Sequence, residues 1–216
     1  MAHALQRLIV GDDPDAWRAA GFRVDGNEAT FGKVVIKLAG ADGERGVLGW
    51  SLAGVTTDIE QISTFNAPSP GSQPIRREEN GAATHTNAVF AIDHVVVETG
   101  DVDRTVEAFT EVGMAERRRA TMSTPVGERQ QAFLWAGRVI IEVVGPVEPD
   151  HDASMGIWGL ALVSSNLAVT AHVLAEDLSE PRDAVQPGRK IATMRTRSLD
   201  ISIPIVVMSP HVAELL

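Results

Sequence analysis

The stretch "AIDHVVVETGDVDRTVEAF" (residues 91–109) decides the fold. His94 heads an apolar, β-branched run over 94–99, bounded by Gly100, which reads as a strand. Asp101 then offers a side-chain oxygen as a helix N-cap. Val102, Val106, Phe109 and Val112 follow at helical spacing, and Gly113 is a C-terminal stop. Three strand-like runs come next, at 114–122, 129–137 and 138–145. Pro125-Val126-Gly127 and Gly137 supply the turns between them. The order is βαβββ over 92–146.

The pattern recurs. Residues 156–178 read as strand, Ser/Asn cap and helix, and "RKIATMR" and "SIPIVVMSP" supply later strands. "VIIEVVGP" (139–146) lies over "IPIVVMSP" (203–210). In the N-terminal part, "KVVIKLAG" (33–40) aligns without gaps on "RVIIEVVG" (138–145). "GVLGWSLAG" (46–54) matches "GIWGLALVS" (156–164) with both glycines in register. Units that repeat in this way bury their faces against one another. The fold class predicted is α+β. Paired βαβββ modules (92–146 and 156–210, within a domain over 88–216) form a curved, cup-shaped mixed sheet with helices outside. An abbreviated extra module over 1–65 precedes them. Residues 66–87, rich in Pro, Gly, Ser and charge, are the expected linker, with "QPIRREE" (73–79) as a candidate strand within it.

A formal net charge of −10 argues against nucleic acid or an anionic membrane as partner. Arg117-Arg118-Arg119 and Arg76-Arg77 read as solvated faces. The chain has no cysteine, which excludes disulfides and thiolate metal sites and fits a cytoplasmic protein. No apolar run is long enough to span a bilayer.

The order βαβββ twice, opened by "IDHVVVETGDVDRTVEAF" and closed by "VIIEVVGP", resembles the vicinal oxygen chelate superfamily: glyoxalase I, methylmalonyl-CoA epimerase, extradiol dioxygenases and bleomycin-resistance proteins. The resemblance implies a cup whose metal ligands come from the first and fourth strands of each module. Here those positions fall on His94 and Glu142 in one module and on Gly159 and Val206 in the other. In the N-terminal echo they fall on Arg7 and Lys37. Only His94 and Glu142 carry donors suited to a divalent metal such as Zn, Ni, Mn or Fe.

His94 and Glu142 are therefore the candidate catalytic and metal-binding residues. Gln131, Phe133, Trp135, Trp158 and His211 are candidates to line a pocket for a small-molecule ligand. Phe133, Trp135, Trp158 and Trp50 read first as core packing between sheet and helices, and second as an aromatic wall for an apolar ligand. His3 is expected to be disordered, and His85, His151 and His172 to have no role in the site. Three functions stay open. The first is a small-molecule binder in the manner of bleomycin-resistance proteins. The second is a metal-dependent lyase, isomerase or dioxygenase, its site completed across a homodimer in which 92–146 meets its own copy. The third is a metal-free enzyme using His94 and Glu142 as an acid/base pair. A homodimer is expected in every version, because curved open sheets leave edges to cover.

Overall fold

The computed structural model describes residues 3–66, 85–125 and 127–211. Most of the expected linker lies outside them, as do Arg76-Arg77 and residues 73–79. The N-terminal part holds β1 (Leu5–Val10), α1 (Pro14–Ala19), β2 (Glu28–Phe31), β3 (Val34–Leu38) and β4 (Val47–Leu52). The central unit is β5 (Val89–Glu98), α2 (Val102–Glu111), β6 (Glu116–Thr124), β7 (Gly127–Ala136) and β8 (Val139–Pro146). The last is β9 (Gly156–Ser164), α3 (Leu167–Leu174), β10 (Arg182–Asp183), β11 (Lys190–Met194) and β12 (Ile205–Met208).

Both expected modules form. Asp101 accepts from the Arg104 N–H at 3.1 Å and caps α2, and Asn166 accepts from Ala168 and Val169 and caps α3. Each cap satisfies backbone donors that the first helical turn leaves orphaned. Gly113 takes φ +88° just past α2, a conformation open to glycine and strained for other residues.

The two modules share one curled sheet of eight strands, ordered β10-β11-β12-β9-β5-β8-β7-β6. Within each module the first strand runs parallel to the fourth: β5 beside β8 and β9 beside β12. β5 and β9 pair antiparallel at the centre and join the modules inside a single chain. β5 thus has neighbours on both sides. In this arrangement 92–146 pairs with 156–210 of the same chain, whereas the dimeric route to a completed site needs 92–146 paired with its own copy.

Alternation sets the two faces of this sheet. Along β8, Val139, Ile141 and Val143 are buried toward the helices, while Ile140, Glu142 and Val144 are part-exposed on the concave side. On α2, Val102, Thr105, Val106 and Phe109 complete the buried layer. Burying each large aliphatic side chain contributes about 1.5–3 kcal/mol.

The N-terminal strands form a four-stranded sheet, ordered β2-β3-β1-β4. Here β3 lies parallel to β1 as β8 does to β5, and β4 lies antiparallel to β1 as β9 does to β5. The echo is therefore a module short of one strand, followed by the first strand of another. β3 holds the place of a fourth strand, as its alignment with 138–145 predicts. This sheet packs against the helical side of the larger one. Trp50 meets Phe109 of α2 with ring centroids 5.8 Å apart, and Glu60 pairs with Arg104 at 3.0 Å.

His85 ties the start of the central unit to the N-terminal sheet. It is buried among Phe22 and Phe31, its Nδ1 accepts from the Arg23 N–H, and its Nε2 donates to the Thr30 carbonyl. Both contacts suit a neutral ring. Desolvation by burial holds its pKa below the ordinary 6.5, against the opposing pull of the Thr30 carbonyl. The unfolded chain then binds the proton more readily. The stabilisation from neutral His85 is complete above the unfolded value and is lost as pH falls through the lower folded one. Urea midpoints are expected to drop between about pH 7 and pH 5 for reasons that the variant His85→Gln removes. An unchanged pH slope in that variant would locate the effect elsewhere.

Candidate functional site

The site is built from neighbouring strands of the cup. Glu142 sits in register opposite Val96, two residues beyond His94, on the adjacent parallel strand. Their side chains meet on the concave face, with His94 Nε2 3.3 Å from Glu142 Oε2. The two side chains are only 16% and 13% exposed. Gln131, across β7, donates its amide to Glu142 Oε1 at 2.5 Å. Phe133 pairs in register with Glu142 and carries the Arg118 guanidinium 5.6 Å above its ring. A carboxylate in the run "VIIEVV" is costly without partners, and here it has two.

Two further residues belong to this network that the sequence reading left out. Between Ile92 and His94 the register against β9 slips by one residue, so Asp93 is the extra residue of a β-bulge. On a regular strand Asp93 and His94 would face opposite ways. Here Asp93 Oδ2 lies 2.8 Å from His94 Nδ1. Its other oxygen meets Arg189 Nη1 at 2.7 Å. Arg189 stands at the head of β11 and is 1% exposed. It also donates from Nε to the Ser209 carbonyl and from Nη1 to His211 Nε2. Burial by itself would raise the Asp93 carboxyl. The hydrogen bonds and charges of His94 and Arg189 outweigh it and hold Asp93 below its ordinary value. An ionised Asp93 requires the proton on Nδ1, so Nε2 is the nitrogen presented to Glu142 and the cup.

The predicted pocket residues separate. Gln131 and Phe133 adjoin Glu142, and His211 joins the Arg189 end. Trp135 and Trp158 are 53% and 52% exposed, which overturns their reading as core, whereas Trp50 is fully buried. Trp135 lines one cleft of about 500 Å³ with His3, Met114 and Arg117. Trp158 lines another of about 590 Å³ with Glu98 and Arg129. Neither cleft includes His94 or Glu142. His172 and His151 are exposed. His3, expected to be disordered, is held by the Ala53 carbonyl at 2.9 Å. Arg119 bonds Glu116 and Asp103, in keeping with a solvated face. No helix among the described residues is long and apolar enough to cross a membrane.

No protein-family model matches the chain, and no curated protein matches it. Solved structures do. A triple variant of 4-hydroxymandelate synthase from Streptomyces coelicolor aligns over 97% of this chain and 93% of its own, at 10% identity and a TM-score of 0.63. Catechol 2,3-dioxygenase aligns over 97% and 92%, at 14% identity and a TM-score of 0.52. An extradiol ring-cleaving dioxygenase from B. fuscum aligns over 97% and 72%, at 11% identity and a TM-score of 0.56. The fold is that of the vicinal oxygen chelate superfamily. The alignments reach across the N-terminal sheet, so that sheet is part of the shared architecture.

The strand positions compared between modules in the sequence can be checked by register. Val206 sits opposite Ala161, two residues beyond Gly159, just as Glu142 sits opposite Val96, two beyond His94. Lys37 sits opposite Ile9, two beyond Arg7. The three pairs therefore occupy corresponding strand positions. Gly159 is also sterically fixed. A Cβ there would lie 2.7 Å from the Pro204 carbonyl oxygen, so no side chain enters without moving that strand's approach. Among the described residues, no three His, Asp or Glu side chains converge as a metal centre needs. Asp93 and Glu142 stand on opposite edges of the His94 ring. This donor set does not fit a tightly held divalent ion.

Proposed function

We propose that the chain binds a small, partly apolar molecule in its cup, beside the His94–Glu142 pair and without a four-ligand metal centre. The observation that carries this reading is the register equivalence. Two of the four ligand positions are Gly159 and Val206, and neither can donate. Ile140, Val144, Val96 and Phe133 surround the pair with apolar surface, and a few polar groups set in such a surface are the usual make-up of a ligand site. Elemental analysis of purified protein is expected to find no stoichiometric zinc, nickel, manganese or iron, with melting unchanged by a chelator. One metal per chain, lost on His94→Ala, would overturn it.

The Asp93–His94 contact favours a second reading, in which the cup is catalytic without a metal. With Nδ1–H held by Asp93, His94 Nε2 faces Glu142 Oε2 at 3.3 Å, and the pair is placed to exchange a proton with a molecule bound beside it. For any turnover found, His94→Gln and Glu142→Gln are each expected to lower kcat by about 10²–10⁴-fold. Turnover that survives both substitutions rules this chemistry out.

A further inference from the structure

We infer that the Trp158 end of the cup is a subsite for an uncharged planar ring bearing an amide edge. This deepens the reading of the cup as a ligand site and rests on it. The cleft of about 590 Å³ is built where β5 ends, β7 begins and β9 begins. Glu98 lies on the same face of β5 as His94, about 13 Å further along at roughly 3.3 Å per residue. Arg129 shares its face of β7 with Gln131, whose amide holds Glu142. The cleft thus continues the cup floor.

Three features define what it would take. Trp158 presents a half-exposed indole, an area large enough to stack a flat ring. Arg129 donates from Nη2 to Glu98 Oε1 at 2.8 Å, while its Nε is buried with no hydrogen-bond partner among the described residues. Glu98 is 46% exposed, so its carboxylate still faces the cleft as an acceptor. The ion pair therefore offers a cationic donor and an anionic acceptor side by side.

Charge then selects the class. Glu98, Arg129 and Asp150 line the same cleft. An anionic ligand drawn to Arg129 would lie against Glu98 and Asp150, and a cationic one drawn to the carboxylates would lie against Arg129. Either is repelled by its neighbour's partner at an effective dielectric well below that of water. A carboxamide or ring amide meets both at once, its carbonyl accepting from the guanidinium and its N–H donating to Glu98.

The test uses three ring compounds of matched size: benzamide, benzoate and benzylamine. Each is titrated into the intact chain while the Trp158 indole N–H is followed by NMR, assigned with Trp158→Phe. Benzamide is expected to shift that resonance saturably at millimolar concentration, at least fivefold more tightly than either charged analogue. Arg129→Gln and Glu98→Gln should each weaken it by a similar factor. No saturable shift, or equal or tighter binding of benzoate or benzylamine, would overturn the proposal. Because the readout is at Trp158, its failure is distinct from failure of the His94–Glu142 reading. The His94 ring resonances are followed in the same three titrations, so binding beside the His94–Glu142 pair is read separately from binding at Trp158.

Discussion

Replacing Arg189 by methionine is expected to destabilise the chain by about 3–5 kcal/mol, the usual effect of removing one partner from a buried ion pair. Arg189 is 1% exposed and Asp93's side chain 9%, so the carboxylate left behind has little access to water. The double variant Asp93→Asn/Arg189→Met should lose much less. It strands no charge, and the asparagine oxygen still accepts from His94 Nδ1. Urea unfolding of the two single variants and the double gives the coupling directly. A cost below about 1 kcal/mol for Arg189→Met would mean that the pair is not buried as described. The same cycle bears on the site, because Asp93 orients His94 and Arg189 holds Asp93. A guanidinium from the second module thus fixes the imidazole of the first, so the cup is assembled only when the two modules pair.

The chain's architecture was readable because its signals are local and repeated. Alternation along 139–146, the Asp101 and Asn166 caps and the glycines at 113 and 137 each specify an element without reference to the rest. The His94–Glu142 partnership also followed, since a glutamate in an apolar strand demands a polar neighbour and parallel first and fourth strands supply one. What escaped is what depends on breaks in regularity. Asp93 reaches His94 only through a bulge, and no alternation rule announces one, although an aspartate inside "FAIDHVVV" raises the same question of cost as Glu142. Arg189 follows a turn nearly a hundred residues later, and nothing local ties it to Asp93. The tryptophans illustrate the converse. Trp50 matches Leu160 in the aligned repeats and both are buried, whereas Trp158 matches Leu48 and each is the extra residue of a bulge, a break in alternation that leaves Trp158 exposed.

Asp12→Ala is expected to cost about 3 kcal/mol or more and to loosen the N-terminal sheet from the larger one. Asp12 is fully buried, and it gathers groups from three places. The Trp17 indole N–H donates to it from α1 at 3.0 Å, and the Ser202 N–H donates at 3.1 Å from the segment before β12. Arg45 lies 3.2 Å away. Alanine would orphan a buried indole N–H, at about 1–3 kcal/mol, and a part-buried backbone N–H besides. Asp12→Asn keeps an acceptor and should retain part of that energy. Arg45 also meets Asp200, whose side chain is 73% exposed, so Asp200→Asn is the matched control and should cost well under 1 kcal/mol. Amide hydrogen exchange distinguishes local from global loss. In Asp12→Ala, protection should fall first at α1 and around Ser202, while β5 and β8 keep theirs. A uniform fall across both sheets would show instead that they unfold as one unit, and that the floor of the cup depends on the N-terminal sheet for its stability.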